Sequence, residues 1–278
     1  MLITTLKSKI EQATRLLYIN TITASNGSVL IVEYPKSGGT WLGQLISNYL
    51  DLPFPRNRMP IARKSLFHSH YLPKWRIPNN PRIVYLVRDG RDVMVSLYFH
   101  QLIWNEKNKL NPKDVIYHRK QTGFKDFEDV KGNMLDFIHY TFTEQPSKLQ
   151  HFTYMGNWAT YNRSWIAQRE QSDENIYLVR YEDLLLDAFG TMKDMFEGFF
   201  DIEAVDEEKL RQTVQKFSFE NQAKRKKGQE DKNSFLRKGI SGDWKNYFGP
   251  AEREAYNHYA GDVLQALGYE QDESWLRP

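Results

Sequence analysis

The stretch from Ser28 to Leu50, "SVLIVEYPKSGGTWLGQLISNYL", limits the possible folds more than any other. "SVLIVEY" (28–34) is a short apolar run rich in β-branched residues and bounded by Gly27 and Pro35, which predicts a buried strand. Thr40 to Leu50 follows as a helix. The turn between them, "YPKSGGTW", holds two glycines and a lysine. A strand, a glycine-rich turn and a helix make the layout of a phosphate-binding loop. Gly38 and Gly39 let backbone N–H groups turn inward around an anion, and the helix adds its positive N-terminal end. Lys36 can supply a mobile charge, and Ser37 and Thr40 supply hydroxyls. Lys36 precedes the glycines, whereas the lysine of a Walker A loop follows them. The same glycines would also serve a purely structural left-handed turn.

Two more apolar runs read as strands: "RIVYLV" (82–87) and "NIYLVRYED" (175–183). Helices are expected over 1–22, 91–104 and 133–143, over "GNWATYNRSWIAQRE", from the third strand to about Phe200, over 207–217, and over the closing "AEREAYNHYAGDVLQALGYE". The segments 56–81 and 221–248 read as loops, the first for its four prolines. Strands alternating with helices imply an α/β fold with a central, mainly parallel sheet flanked by helices. Ligands of such sheets sit beyond the carboxyl ends of the strands, so motifs placed there should converge.

Composition closes off several classes. A chain of 278 residues suits one large α/β domain or two small ones. No cysteine is present, which excludes disulfides, thiolate catalysis and Cys-ligated zinc. The formal charge of +3 is too small to imply nucleic acid. The first twenty residues carry charges throughout, so the expectation is a cytoplasmic protein with no signal peptide or membrane span.

Two further constellations fall at strand ends. "VRDGRDVMVS" places Arg88 at the end of a strand and Ser96 eight residues on, close enough for both to reach one oxyanion. Alternatively Arg88, Asp89, Arg91 and Asp92 form an ion-pair cluster. "RKGISGDWKN" sets Arg237 and Lys238 beside Gly239, a basic nest for an anion or else a solvated loop.

The three motifs, in this order and spacing, resemble those of the cytosolic-type sulfotransferases: "YPKSGTTW", "R-x-x-x-D-V-x-V-S" and "R-K-G-x-x-G-D-W-K-N". They bracket residues 34–246, most of the chain. The resemblance implies one P-loop-related, three-layer domain over 1–278. It also implies 3′-phosphoadenosine 5′-phosphosulfate (PAPS) as sulfuryl donor, with 3′-phosphoadenosine 5′-phosphate (PAP) as product. Lys36 would contact the bridging or 5′-phosphate oxygens, the backbone of Ser37, Gly38, Gly39 and Thr40 would cradle the phosphate, and Trp41 would stack on adenine. Arg88 and Ser96 would hold the 3′-phosphate with Arg237, Lys238 and Gly239. Tyr181 and Phe219 match aromatics that lie against the base. "HSHYLP" resembles the family's "K-T-H-L-P", which makes His70 the general base, with His68 at the lysine position as its rival.

Sulfuryl transfer, like phosphoryl transfer, is an in-line displacement governed by positioning and electrostatics. A neutral imidazole can take the acceptor's proton near neutral pH. No metal is required if basic residues and backbone dipoles supply the charge. "HSH" has no carboxylate or cysteine partner nearby in sequence.

The chain departs from the family pattern in places. Gly39 replaces a threonine, Phe217 stands where a threonine is common, and Gly249-Pro250 interrupts the C-terminal dimer motif between Lys245 and Glu254. A monomer, or a dimer of another kind, is expected. The acceptor is expected to be a small molecule, lipid or glycan bearing a hydroxyl, met by residues such as Phe99, Trp104, Lys107, Lys109, Arg119, Tyr154 and Trp158. An amine acceptor, a P-loop nucleotide kinase and a non-catalytic nucleotide-binding protein are the competing readings.

Overall fold

The computed structural model describes residues 26–55, 63–73, 82–103, 112–144, 155–171 and 173–277, with helical positions at 14, 17 and 21. The rest of the expected N-terminal helix, and Trp104, Lys107, Lys109 and Tyr154, lie outside the described residues.

In chain order the elements begin with β1 (Val29–Glu33), α1 (Gly39–Tyr49), β2 (Leu66–Ser69), β3 (Arg82–Val87) and α2 (Gly90–Tyr98). A π-helical turn, Phe99–Ile103, leads to α3 (Pro112–Thr122), α4 (Met134–Thr143), α5 (Trp158–Gln171) and β4 (Ile176–Arg180). Then come α6 (Tyr181–Leu186), α7 (Ala188–Gly198), α8 (Glu207–Lys216), α9 (Phe219–Ala223), a 3₁₀ turn at Asp243–Asn246 and α10 (Pro250–Ala266). The chain divides into two compact units, one of residues 1–87, 147–155 and 161–217, the other of 88–146, 156–160 and 218–278.

The first unit holds the sheet. Its four strands are all parallel, in the order β2-β1-β3-β4. Val29 stands between Leu66 and Arg82, and Ile83 pairs with Ile176. β1 is buried along its whole length, as befits a central parallel strand covered on both faces. Ile31, Leu42, Leu45, Leu66, Leu86 and Phe196 belong to one apolar core, with Tyr49 stacked on Phe196 at 4.2 Å. Each such side chain contributes about 1.5–3 kcal/mol by leaving water.

Two expectations needed correction here. "LFHS", read as loop, is the edge strand β2: four residues with two apolar side chains carry too little pattern to be seen, and pairing to β1 supplies the order. "NIYLVRYED", read as one strand, is strand only to Arg180. Tyr181 already begins a helix with Glu182 and Asp183 in its first turn, where carboxylates suit the positive helix end.

In the second unit, α4 packs on α10, with Phe142 stacked on Tyr259 at 4.8 Å. Arg91 lies between the rings of Trp244 (4.0 Å) and Trp275 (4.6 Å) and pairs with Asp89 and Glu270. Gly249 and Pro250 start α10, and the Gly249 N–H is capped by the Glu252 carboxylate at 2.8 Å. The residues that break the expected dimer motif thus serve as a helix start, where proline's missing N–H costs nothing.

Candidate functional site

The expected donor-binding residues fall into two sets of described contacts, one in each unit.

In the first unit the glycine-rich loop is fixed by its neighbours. Lys36 has a φ of 75°, a left-handed conformation that costs an L-residue about 1–2 kcal/mol. Such strain persists where surrounding structure dictates it, commonly at binding sites. Ser37 N–H closes the turn onto the Tyr34 carbonyl at 3.2 Å, and Trp41 N–H begins α1 on the Gly38 carbonyl at 2.9 Å. Gly38 has a φ of 108°, and a Cβ there would sit 2.7 Å from the Tyr181 ring. Trp41 meets Tyr181 edge to face at 5.8 Å. Two of the residues expected against adenine are therefore neighbours. The Trp41 indole N–H is buried with no hydrogen-bond partner among the described residues, a polar atom that a nucleobase could satisfy.

Below the loop is a polar cluster that the sequence did not reveal. Glu33 ends β1 and is 4% exposed; His68 on β2 is 8% exposed. Parallel pairing puts the ends of β1 and β2 side by side. Glu33 Oε2 accepts from the Gly39 N–H at 2.5 Å, and Oε1 faces His68 Nε2 at 2.8 Å. The Glu33 backbone carbonyl faces His70 Nδ1 at 2.8 Å. Since a carbonyl can only accept, His70 Nδ1 carries the hydrogen and its neutral ring keeps the lone pair on Nε2. The His68 and His70 rings meet edge to face, 4.6 Å apart. Burial works to raise the Glu33 carboxyl, but the hydrogen bond and charge of His68, the charge of His70 and the Gly39 N–H hold it below the usual carboxylate range.

This cluster explains a departure noted in the sequence. A Cβ on residue 39 would lie 2.5 Å from the Glu33 carboxylate and 2.8 Å from His68 Nε2, so glycine makes room for the pair. It also commits the Gly39 N–H, expected to face an anion, to a carboxylate of the same chain. Glu33, His68 and His70 offer donor atoms within 4.8 Å of one another, the one such trio among the described residues. The carboxylate missing beside "HSH" in sequence thus comes from the neighbouring strand.

In the second unit the basic segment is ordered by two aspartates. Arg237 Nη2 and Lys238 Nζ share Asp243 at 2.5 and 2.6 Å, and Arg237 also pairs with Glu230. Burial opposes it, yet hydrogen bonds from Lys238 and Arg237 hold the Asp243 carboxyl below its ordinary range. Asp92 accepts the N–H groups of Gly242 (2.7 Å) and Trp244 (3.0 Å). Desolvation raises the Asp92 carboxyl against the pull of Arg88. Arg88 reaches the Ile240 carbonyl at 3.4 Å, which joins the second motif to the third. Ser96 lies two turns along α2, half-buried. Gly239, φ 66°, lies under Phe219: a Cβ there would approach the ring to 2.4 Å.

The ion pair of the "RDGRD" alternative is seen at Asp89 and Arg91, and Arg88 and Asp92 also reach the Ile240–Trp244 backbone. Among the expected acceptor residues, Trp158 is core: it is buried, and a Cβ on Gly90 would come within 2.6 Å of it. Phe99 lies under the Arg237 guanidinium at 4.4 Å, and Arg119 is held by the Leu102 carbonyl at 2.7 Å. Glu33 and Asp243 escaped sequence reasoning, and Asp92 was read there only as a member of an ion-pair cluster. The one available signal was an acidic residue closing an otherwise apolar strand.

Comparison with known proteins decides the family: the sulfotransferase domain model matches residues 53–268. The chain belongs to the sulfotransferase family. Sulfotransferase 2A1 of Homo sapiens is 26% identical over 266 residues, covering 82% of this chain and 81% of that protein. Sulfotransferase 1B1 of Mus musculus is 26% identical over 272 residues, covering 83% and 80%. Mouse sulfotransferase SULT7A1, solved with PAP, superposes with a TM-score of 0.66 at 18% identity over 97% of this chain and 95% of that one. Retinol dehydratase, solved with retinol and PAP, gives 0.58 at 18% identity over 89% and 84%. At those identities the structural likeness establishes the sulfotransferase fold. No helix among the described residues is long and apolar enough to cross a membrane.

Proposed function

We propose that this sulfotransferase takes its sulfuryl group from PAPS and passes it to a hydroxyl on a small-molecule, lipid or glycan acceptor, with His70 as general base. The proposal treats residues 1–278 as one functional domain, without a metal. The observation that carries it is the Glu33 carbonyl on His70 Nδ1, which leaves the basic lone pair of the neutral ring on Nε2, on a histidine beside the phosphate loop's own strand. PAP in two solved neighbours of the same fold supports the donor.

In the step we infer, the acceptor oxygen bonds to sulfur while its proton goes to His70 Nε2. The sulfur–oxygen bond to the 5′-phosphate breaks with its electrons on the departing oxygen. Lys36 meets that growing charge, and the loop from Ser37 to Thr40 shapes the cradle. Trp41 and Tyr181 take the base, joined by Phe219. Arg88, Ser96, Arg237, Lys238 and Gly239 take the 3′-phosphate, where charge-assisted forks distinguish it from a plain nucleotide.

A thermal-shift series separates this reading from a nucleotide kinase. Stabilisation by PAP without magnesium is expected; a response confined to ATP with magnesium overturns it. An acceptor screen with radiolabelled PAPS across phenols, alcohols, amines, glycolipids and oligosaccharides then names the acceptor. Label moving only to amines replaces O-sulfation by N-sulfation.

A further inference from the structure

We propose, resting on the sulfotransferase reading above, that Glu33 and His68 form a buried positioning pair that holds the phosphate loop and the base His70 in register. Glu33 touches each component with a different atom: Oε2 takes the loop through the Gly39 N–H, Oε1 takes His68 Nε2, and the backbone oxygen takes His70 Nδ1. A carboxylate only accepts, so His68 Nε2 carries a hydrogen towards it. The pair is sealed, and residue 39 has no side chain to crowd it.

A buried carboxylate–imidazole pair is a poor way to stabilise a strand end. Well-packed apolar residues of similar volume commonly do as well. Its use is geometric and electrostatic. When the acceptor's proton reaches His70 Nε2, the ring becomes an imidazolium with its Nδ1–H on the Glu33 carbonyl. That positive ring stands edge-on to the His68 ring, which the Glu33 carboxylate holds through Nε2. A buried carboxylate close to a developing imidazolium favours that charge without itself taking the proton, and here it acts on His70 through the intervening His68 ring. Loop and base are tied to the same residue, so a shift of one moves the other.

The test uses full-length Glu33→Gln, His68→Gln and the double variant, with kcat and KM on the identified acceptor, PAP affinity by calorimetry, and ¹⁵N NMR of the imidazoles. Glu33→Gln keeps an oxygen for Gly39 but turns an amide donor towards His68. Each single variant is expected to lose about 10–100-fold in kcat, with PAP affinity held within about threefold, and the double to be no worse than the weaker single, since groups acting as a unit are not additive. Wild-type His68 is expected to carry its hydrogen on Nε2. If Glu33→Gln fails to fold, His68→Gln alone decides by the same split. Near-wild-type kcat in the folded variants, multiplicative losses in the double, or PAP affinity falling in step with kcat overturns the pair. Stoichiometric zinc whose chelation abolishes turnover overturns it too, in favour of a metal site. Wild-type protein that does not bind PAP overturns the sulfotransferase reading and the pair's role with it; wild-type turnover with silent variants overturns the pair alone.

Discussion

The glycine-rich loop and the "RKGISGDWKN" segment are both tied down by buried carboxylates, but the ties differ in kind. Around the loop, Glu33 binds a backbone N–H and an imidazole and is closed to solvent. Around the basic segment, Asp92 accepts the backbone N–H groups of Gly242 and Trp244, while Asp243 gathers the cations Arg237 and Lys238, whose side chains stay partly open to water. The first arrangement fixes two imidazoles and fits the proposed base. The second fixes two cations and fits the proposed 3′-phosphate grip. A carboxylate beneath an anion site weakens its raw attraction but fixes where the cations point, which favours specificity over strength.

If that division holds, variants in the two regions should fail in different ways. His70→Ala is expected to have the largest effect, a loss of about 10²–10⁴-fold in turnover with PAP affinity retained, because a positioned base contributes on that scale. Calorimetry beside steady-state kinetics checks it, and normal turnover removes His70 from the role. Lys36→Ala should follow, with kcat lower by about 10²–10³-fold from the loss of one charge aimed at the leaving group. An effect on donor KM alone would move Lys36 from chemistry to grip. Arg237→Ala should instead weaken PAP binding by about 10–100-fold, the worth of a charged hydrogen bond of about 1.5–3 kcal/mol, with kcat near wild type at saturating donor. A turnover defect at saturation would erase the contrast between the regions.

The smallest effect is in acid stability. Glu33 and Asp243 both sit below their ordinary values of 4.5 and 3.8, so their stabilisation is complete above those values and lost as pH falls through the folded-state ones. Asp92 is raised, so its contribution has the opposite sign: it is present at low pH and lost as pH rises through its folded value. Melting temperatures between pH 6 and pH 3 should therefore fall less steeply in Glu33→Gln than in wild type, and more steeply in Asp92→Asn. Parallel curves for all three would mean these carboxyls do not carry the acid response.

What could be read from the chain follows from how local its causes are. β1, β3 and α1 were legible because apolar runs and Gly or Pro punctuation are written within a dozen residues. The three motifs that carry the family resemblance were legible because each is contiguous. β2 was not, since its order comes from pairing with β1. Helix α3, with its mixed polar sequence "PKDVIYHRKQT", was missed because it has no clear apolar stripe. The Glu33–His68 contact joins residues 35 positions apart, and nothing in either local sequence announces it. Trp158 misled for a related reason: aromatic content is visible in sequence, but whether a ring lines a site or fills core depends on what packs against it, here Gly90.

The central proposal is that the basic segment reads the 3′-phosphate of the donor. The most direct measurement is the affinity of the wild-type protein for PAP and for AMP, which differ by that phosphate alone, titrated without magnesium. PAP is expected to bind about 100-fold more tightly, the sum of two or more charged hydrogen bonds, with most of the preference gone in Arg237→Ala. Equal affinity for the two nucleotides, or a preference that survives in Arg237→Ala and Lys238→Ala alike, would contradict it.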